Sequence, residues 1–148
     1  MKTDELLEKV QSFLDDLKYS EVIALLSDKV LNKCDNAELY FCRAWAHNQL
    51  NEHEIALSYK DKALIADPDL LNKLNQKGIY WYNQGDYDRA IIEYNKALMV
   101  DENFATAYYN KGLVFYAKGD LDKAILDYNK AIECDPDYFL AYYNRGLT

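Results

Sequence analysis

The segment QGDYDRAIIEYNKA (residues 84–97) returns thirty-four positions later as KGDLDKAILDYNKA (118–131). Gly78, Gly112 and Gly146 keep the same step, as do Ala56, Ala90 and Ala124, and then Ala63, Ala97 and Ala131. Asp67-Pro68 and Asp135-Pro136 stand two steps apart, with Asp101-Glu102 at the position between them. A fixed period of this length restricts the chain to architectures that stack one supersecondary unit on the next.

Each unit reads as two helices. Leu74, Gly78 and Trp81 fall at i, i+4 and i+7, one face of a helix, and Tyr108, Gly112 and Phe115 repeat the pattern. Gly85 and Gly119 can take the left-handed conformation that ends a helix, and Asp86 and Asp120 suit the cap of the next. Ala90, Tyr94 and Ala97, then Ala124, Tyr128 and Ala131, mark a face of each second helix. Glycine inside a helix costs ~1 kcal/mol relative to alanine. Its return at one helical position therefore predicts that a neighbouring helix passes too close for a side chain. Only 5 glycines and 2 prolines occur in 148 residues, which suits helices better than a turn-rich sandwich or barrel.

This pattern of large, small and aromatic residues resembles the tetratricopeptide repeat. The match runs through Leu74, Gly78, Trp81, Ala90, Tyr94 and Ala97, and again through Tyr108, Gly112, Phe115, Ala124, Tyr128, Ala131 and Pro136. A further unit fits with Tyr40, Ala44, His47, Ala56, Ala63 and Pro68, departing at Lys60, where the family usually has an aromatic. Arg43, Lys77, Lys111 and Arg145 stand where the family often has Leu. The resemblance implies an all-α fold, a right-handed superhelical solenoid of antiparallel helix pairs in a single domain. Its units are approximately 3–36 (degenerate), 37–70, 71–104 and 105–138, with a partial unit or capping helix at 139–148. In the first unit Leu6, Val10, Phe13, Val22 and Leu26 keep the apolar rhythm without the small residues. The last segment is expected to be either its own cap or the opening of another unit in a larger parent protein.

The family resemblance also implies a concave groove, lined by the first helices, that holds an extended peptide. The stripe beside the packing face reads Phe41, Trp45 and Asn48, then Asn75, Ile79 and Tyr82, then Tyr109, Leu113 and Tyr116, then Tyr143. Amides stand nearby at Asn72, Gln76, Asn83, Asn110 and Asn144. An amide both donates and accepts and can pair with any peptide group. Aromatics offer contact area at small rotamer cost. The same aromatics could instead pack between adjacent first helices, and both roles are open on sequence alone. Chaperone-binding members of the family clamp an acidic C-terminus with Lys, Arg and Asn. The corresponding positions here are Phe41, Trp45, Gln76, Thr106 and Asn110, or one unit later Asn75, Ile79, Asn110, Leu140 and Asn144. Neither set contains a cation, so an acidic ligand is not expected.

No catalytic constellation or cofactor motif is found. HEIAL at His53 has Leu57 where a zinc protease needs its second histidine, and His47 sits at an aromatic position of the repeat. Cys42 and His47 point to different sides of a helix, which makes a poor metal pair. The net charge of -8 works against nucleic acid. No segment is long and apolar enough to span a membrane, and MKTDELLEKV is too acidic for a signal peptide. Three cysteines without paired spacing suggest a reducing cytoplasm. The expectation is a cytoplasmic, non-catalytic module that holds a peptide or partner helix, without cofactor or metal. The alternatives are self-assembly through Tyr142–Leu147, giving a homo-oligomer, or the substrate-recognition arm of a larger protein.

Overall fold

Leu17, Asn51, Gly85 and Gly119 are spaced by thirty-four residues, and all four adopt the left-handed conformation, with φ of 58, 63, 76 and 79°. Only the last two are glycine. The residue after each turn donates its amide to the carbonyl five residues back: Lys18 to Phe13 O, Glu52 to His47 O, Asp86 to Trp81 O and Asp120 to Phe115 O, at 2.8–3.0 Å. These bonds close the ends of four helices in the same way, satisfying carbonyls that the helix leaves open. Asp86 and Asp120 then cap the following helices, accepting from the amides of Arg89 and Lys123.

The computed structural model describes residues 2–148, and among them the regular structure is entirely helical. The helices are α1 (Thr3–Asp15), α2 (Tyr19–Leu25), α3 (Asp28–Cys34), α4 (Ala37–Gln49), α5 (His53–Ala66), α6 (Leu70–Asn83), α7 (Tyr87–Val100), α8 (Ala105–Lys118), α9 (Leu121–Cys134) and α10 (Phe139–Leu147). The chain divides into two compact units, with the boundary between Leu70 and Leu71.

In the first unit α1 packs on α2 and α4, α2 on α4, and α4 on α5. Its second helix is broken: α2 stops at Leu25, Leu26 leaves helical geometry, and α3 starts after Ser27. Arg43 stabilises the break. Its Nη1 donates to the Leu26 carbonyl at 2.7 Å and to Asp28 Oδ1 at 2.9 Å. The cation that departs from the family pattern thus serves a carbonyl that the interrupted helix leaves exposed. The aromatic missing at Lys60 is supplied one residue earlier. Tyr59 is buried, stacks on His47 with ring centroids 5.7 Å apart, lies under the Arg43 guanidinium and donates its hydroxyl to Asp28. Burial, with that bond, pushes the Tyr59 phenol up to about 12. His47 is a packed side chain. Arg43 Nε can only donate to its Nε2, so the ring proton sits on Nδ1, 2.6 Å from Glu52 Oε2.

In the second unit α7 packs on α8, α8 on α9, and α9 on α10. The glycine prediction is met at two positions. A Cβ on Gly112 would lie 2.5 Å from Tyr128 Cε1, and one on Gly78 would lie 2.7 Å from Tyr94 Cδ1. Both tyrosines are fully enclosed. Cations cover the neighbouring rings at matching positions: Arg89 over Trp81 at 4.7 Å and Lys123 over Phe115 at 5.4 Å.

Candidate functional site

The first helices of the second unit, α6, α8 and α10, are joined side by side through polar side chains. Asn110 Nδ2 on α8 donates to Asn75 Oδ1 on α6 at 3.0 Å. Thirty-four residues on, Asn144 Nδ2 on α10 donates to the Tyr109 hydroxyl on α8 at 2.8 Å. The two bonds occupy the same repeat position and form a ladder across three helices. Sequence reading placed these amides in the groove without foreseeing that they bind one another. The signal was present as polar pairs offset by one period plus one residue.

A second set of bonds ties first helices to second helices. Lys111 Nζ reaches Asn95 Oδ1 at 3.3 Å and Asp127 Oδ1 at 3.4 Å, and Arg145 donates to Asn129 Oδ1 at 2.7 Å. Asn95 and Asn129 are themselves one period apart. Asp127 is buried, and that burial outweighs Lys111 and holds its carboxyl above the usual range.

These bonds direct charge toward the second helices. α6, α8 and α10 contain no Asp or Glu. Lys118, at the end of α8, pairs with Asp88 on α7. The surface beside the ladder is therefore built from tyrosine, aliphatic and amide groups. Tyr82, Tyr109, Leu113 and Ile79 are half-buried there, Tyr116 and Tyr143 are exposed, and Asn72, Gln76 and Asn83 face solvent. Asn75 is buried in the ladder. Tyr109 packs between Tyr128 and Tyr138, with ring centroids 6.0 and 5.1 Å away. Tyr138 belongs to this cluster although sequence reading left it out, because it lies in the link before α10 and outside both helical periodicities. Burial raises the Tyr109 phenol above its ordinary value and pushes Tyr128 up to about 12. The Tyr128 hydroxyl is buried without a hydrogen-bond partner.

In the first unit, α4 carries the remaining candidates. Phe41 is 2% exposed and packs in the interior, Trp45 and Asn48 are half-buried, and Asn48 Oδ1 lies 3.0 Å from His53 Nδ1. Among the described residues no group of three His, Cys, Asp or Glu side chains could hold a metal ion. No described helix is long and apolar enough to cross a membrane.

A family model described as TPR repeat matches residues 81–119 and 112–148. The chain carries tetratricopeptide repeats. Solved TPR structures share the fold at low sequence identity. The first TPR domain of Spaghetti (RPAP3), bound to the HSP90 peptide SRMEEVD, is 19% identical with a TM-score of 0.52, covering 76% of this chain and 89% of its own. YrrB, a TPR protein with an unusual peptide-binding site, is 23% identical with a TM-score of 0.52, covering 95% of this chain and 73% of its own. The TPR2AB domain of yeast Sti1 in its pHSP90 complex is 18% identical with a TM-score of 0.52, covering 96% and 68%. No curated protein matches the chain. TPR proteins are protein-interaction scaffolds, and the all-α repeat expectation holds throughout the described residues.

Proposed function

We propose that the α6–α8–α10 surface of the second unit binds an extended peptide that is apolar or basic rather than acidic, and that the protein does no chemistry of its own. The observation that carries this reading is the tyrosine-rich strip, free of acidic residues, beside the amide ladder. The ladder fixes the spacing of three helices, so Ile79, Tyr82 and Tyr116 present rigid contact area at little entropic cost. Asn110 and Asn144 each use one donor in the ladder. Each keeps a second N–H and a carbonyl oxygen for a peptide backbone.

Peptide complexes among the structural neighbours support the class of ligand. Its charge differs from theirs. SRMEEVD is acidic, whereas the strip here offers no cation to receive a carboxylate, and the chain carries a net charge of -8. A cytoplasmic setting fits Cys34, Cys42 and Cys134, which are thiols and form no disulfide.

Panning a random peptide library on the chain, and on an Ile79→Ala/Tyr82→Ala/Tyr116→Ala variant of unchanged circular dichroism, tests this. Aromatic or aliphatic sequences with flanking Lys or Arg should be enriched on the first and lost on the second. Enrichment of acidic C-termini would refute the charge assignment, and enrichment unaffected by the triple substitution would refute the surface.

A further inference from the structure

A cleft of about 390 Å³ opens at one end of the tyrosine strip. Gln84, Gly85, Asp86, Tyr87 and Asp88 line it from the α6–α7 turn and the start of α7, and Lys118 lines it from the last turn of α8. Two relationships join it to the peptide surface. Tyr82 of the strip packs against Tyr87 of the cleft wall, with ring centroids 5.7 Å apart. Tyr116 of the strip stands two residues before Lys118 on the same helix. The strip holds no acidic residue, whereas the cleft holds two. Asp86 serves its own helix, accepting from the Arg89 amide and pairing with the Arg89 guanidinium at 3.5 Å. Asp88 meets Lys118 Nζ through one oxygen, Oδ1, and its side chain is 84% exposed.

We infer that this cleft receives a lysine or arginine side chain of the bound peptide at Asp88, and that Lys118 is an internal competitor holding the place of that cation. The inference rests on the peptide-binding reading of the α6–α8–α10 surface and assigns its charge preference to one carboxylate. Gln84 and Leu50 stand one and two periods before Lys118, so the packing of the repeat does not itself call for a cation there. An ion pair this exposed is weak and exchanges readily with an equivalent cation. A side chain entering from the strip reaches Asp88 beside the Tyr87 ring, whose π system attracts positive charge. A guanidinium can also engage both carboxylate oxygens in a fork, which the ammonium of Lys118 does not do. Arginine should therefore displace Lys118 more effectively than lysine.

Panning on the parent chain supplies the probe: an enriched basic peptide, synthesised once as selected and once with its Lys and Arg changed to Gln. Both are titrated against the parent chain and against Asp88→Asn, Lys118→Met and Asp122→Asn, each of unchanged circular dichroism. Asp122 stands one period after Asp88 and outside the cleft, so its variant makes the same change in net charge elsewhere. For the basic peptide, Asp88→Asn should raise the dissociation constant about three-fold or more, and Lys118→Met should lower it about two- to five-fold. Asp122→Asn should do neither, and the Gln peptide should be indifferent to all three. The inference is overturned if Asp88→Asn leaves the basic peptide unaffected or weakens both peptides alike, if Asp122→Asn acts as strongly, if Lys118→Met weakens binding, or if the library yields no basic peptide. Binding that is lost in the Ile79→Ala/Tyr82→Ala/Tyr116→Ala variant but is blind to Asp88 would remove the cleft and leave the peptide surface standing. Binding blind to the triple substitution would remove both.

Discussion

Tyr128 lies across Gly112 so closely that the aromatic ring occupies the space of the absent side chain, and Tyr94 does the same over Gly78. Each pair locks a first helix to the second helix of its own repeat. The glycine's helical cost is offset by burying a whole phenol ring.

Gly112→Ala should therefore be destabilising. Helix propensity gains ~1 kcal/mol, but overpacking against an enclosed ring costs about 1–3 kcal/mol, for a net loss of up to about 2 kcal/mol. Urea denaturation would measure it. If the variant gained stability, the ring would be free to move aside.

The buried Tyr128 hydroxyl has no partner. Tyr128→Phe keeps the ring over Gly112 and removes an unsatisfied polar group, which should stabilise the protein by about 1 kcal/mol. A loss of that size would mean that the hydroxyl has a partner in solution.

Leu17 holds the left-handed turn that glycine holds in the third and fourth repeats, and it is 68% exposed. The left-handed region costs a residue with a Cβ about 1–2 kcal/mol. Leu17→Gly should thus raise stability by about 1 kcal/mol, the loss of a mostly exposed side chain being small. An unchanged thermal midpoint would show that this turn is not under strain.

Two carboxylates should respond oppositely to pH. The Asp28 carboxyl is held low, first by the Tyr59 hydroxyl and then by Arg43. Its contribution is fully present above the unfolded value, about 4, and is lost as pH falls through the folded one. Asp127 is held high by burial, so it costs stability once pH rises through its folded value, and below about 4 it costs nothing. Asp28→Asn should then destabilise at neutral pH and Asp127→Asn should stabilise. Both differences should vanish in acid, which melting curves between neutral and acidic pH would reveal.

The repeat fold was legible because period and packing express the same constraint: a glycine kept inside a helix has meaning only if a partner ring needs the space. The turns were legible at Gly85 and Gly119 but hidden at Leu17 and Asn51, where the backbone adopts a conformation that the side chain does not announce. The break between α2 and α3 was hidden for a related reason. It depends on Arg43, seventeen residues beyond the carbonyl it serves. Within the site, residue types and helical face were readable, but their mutual engagement was not. Asn75 and Asn110 look alike as ligand contacts or as a pair, and only the approach of α6 to α8 shows them bonded.

The four equivalent left-handed turns have a consequence for how long such a protein can be. Excising residues 86–119 would bring Gly85 against Asp120 and recreate the native Gly-Asp junction, with the same cap and the same helix-closing bond available. Duplicating that stretch would do likewise. Length in this chain is a discrete variable, added or removed in steps of one repeat without inventing a new connection.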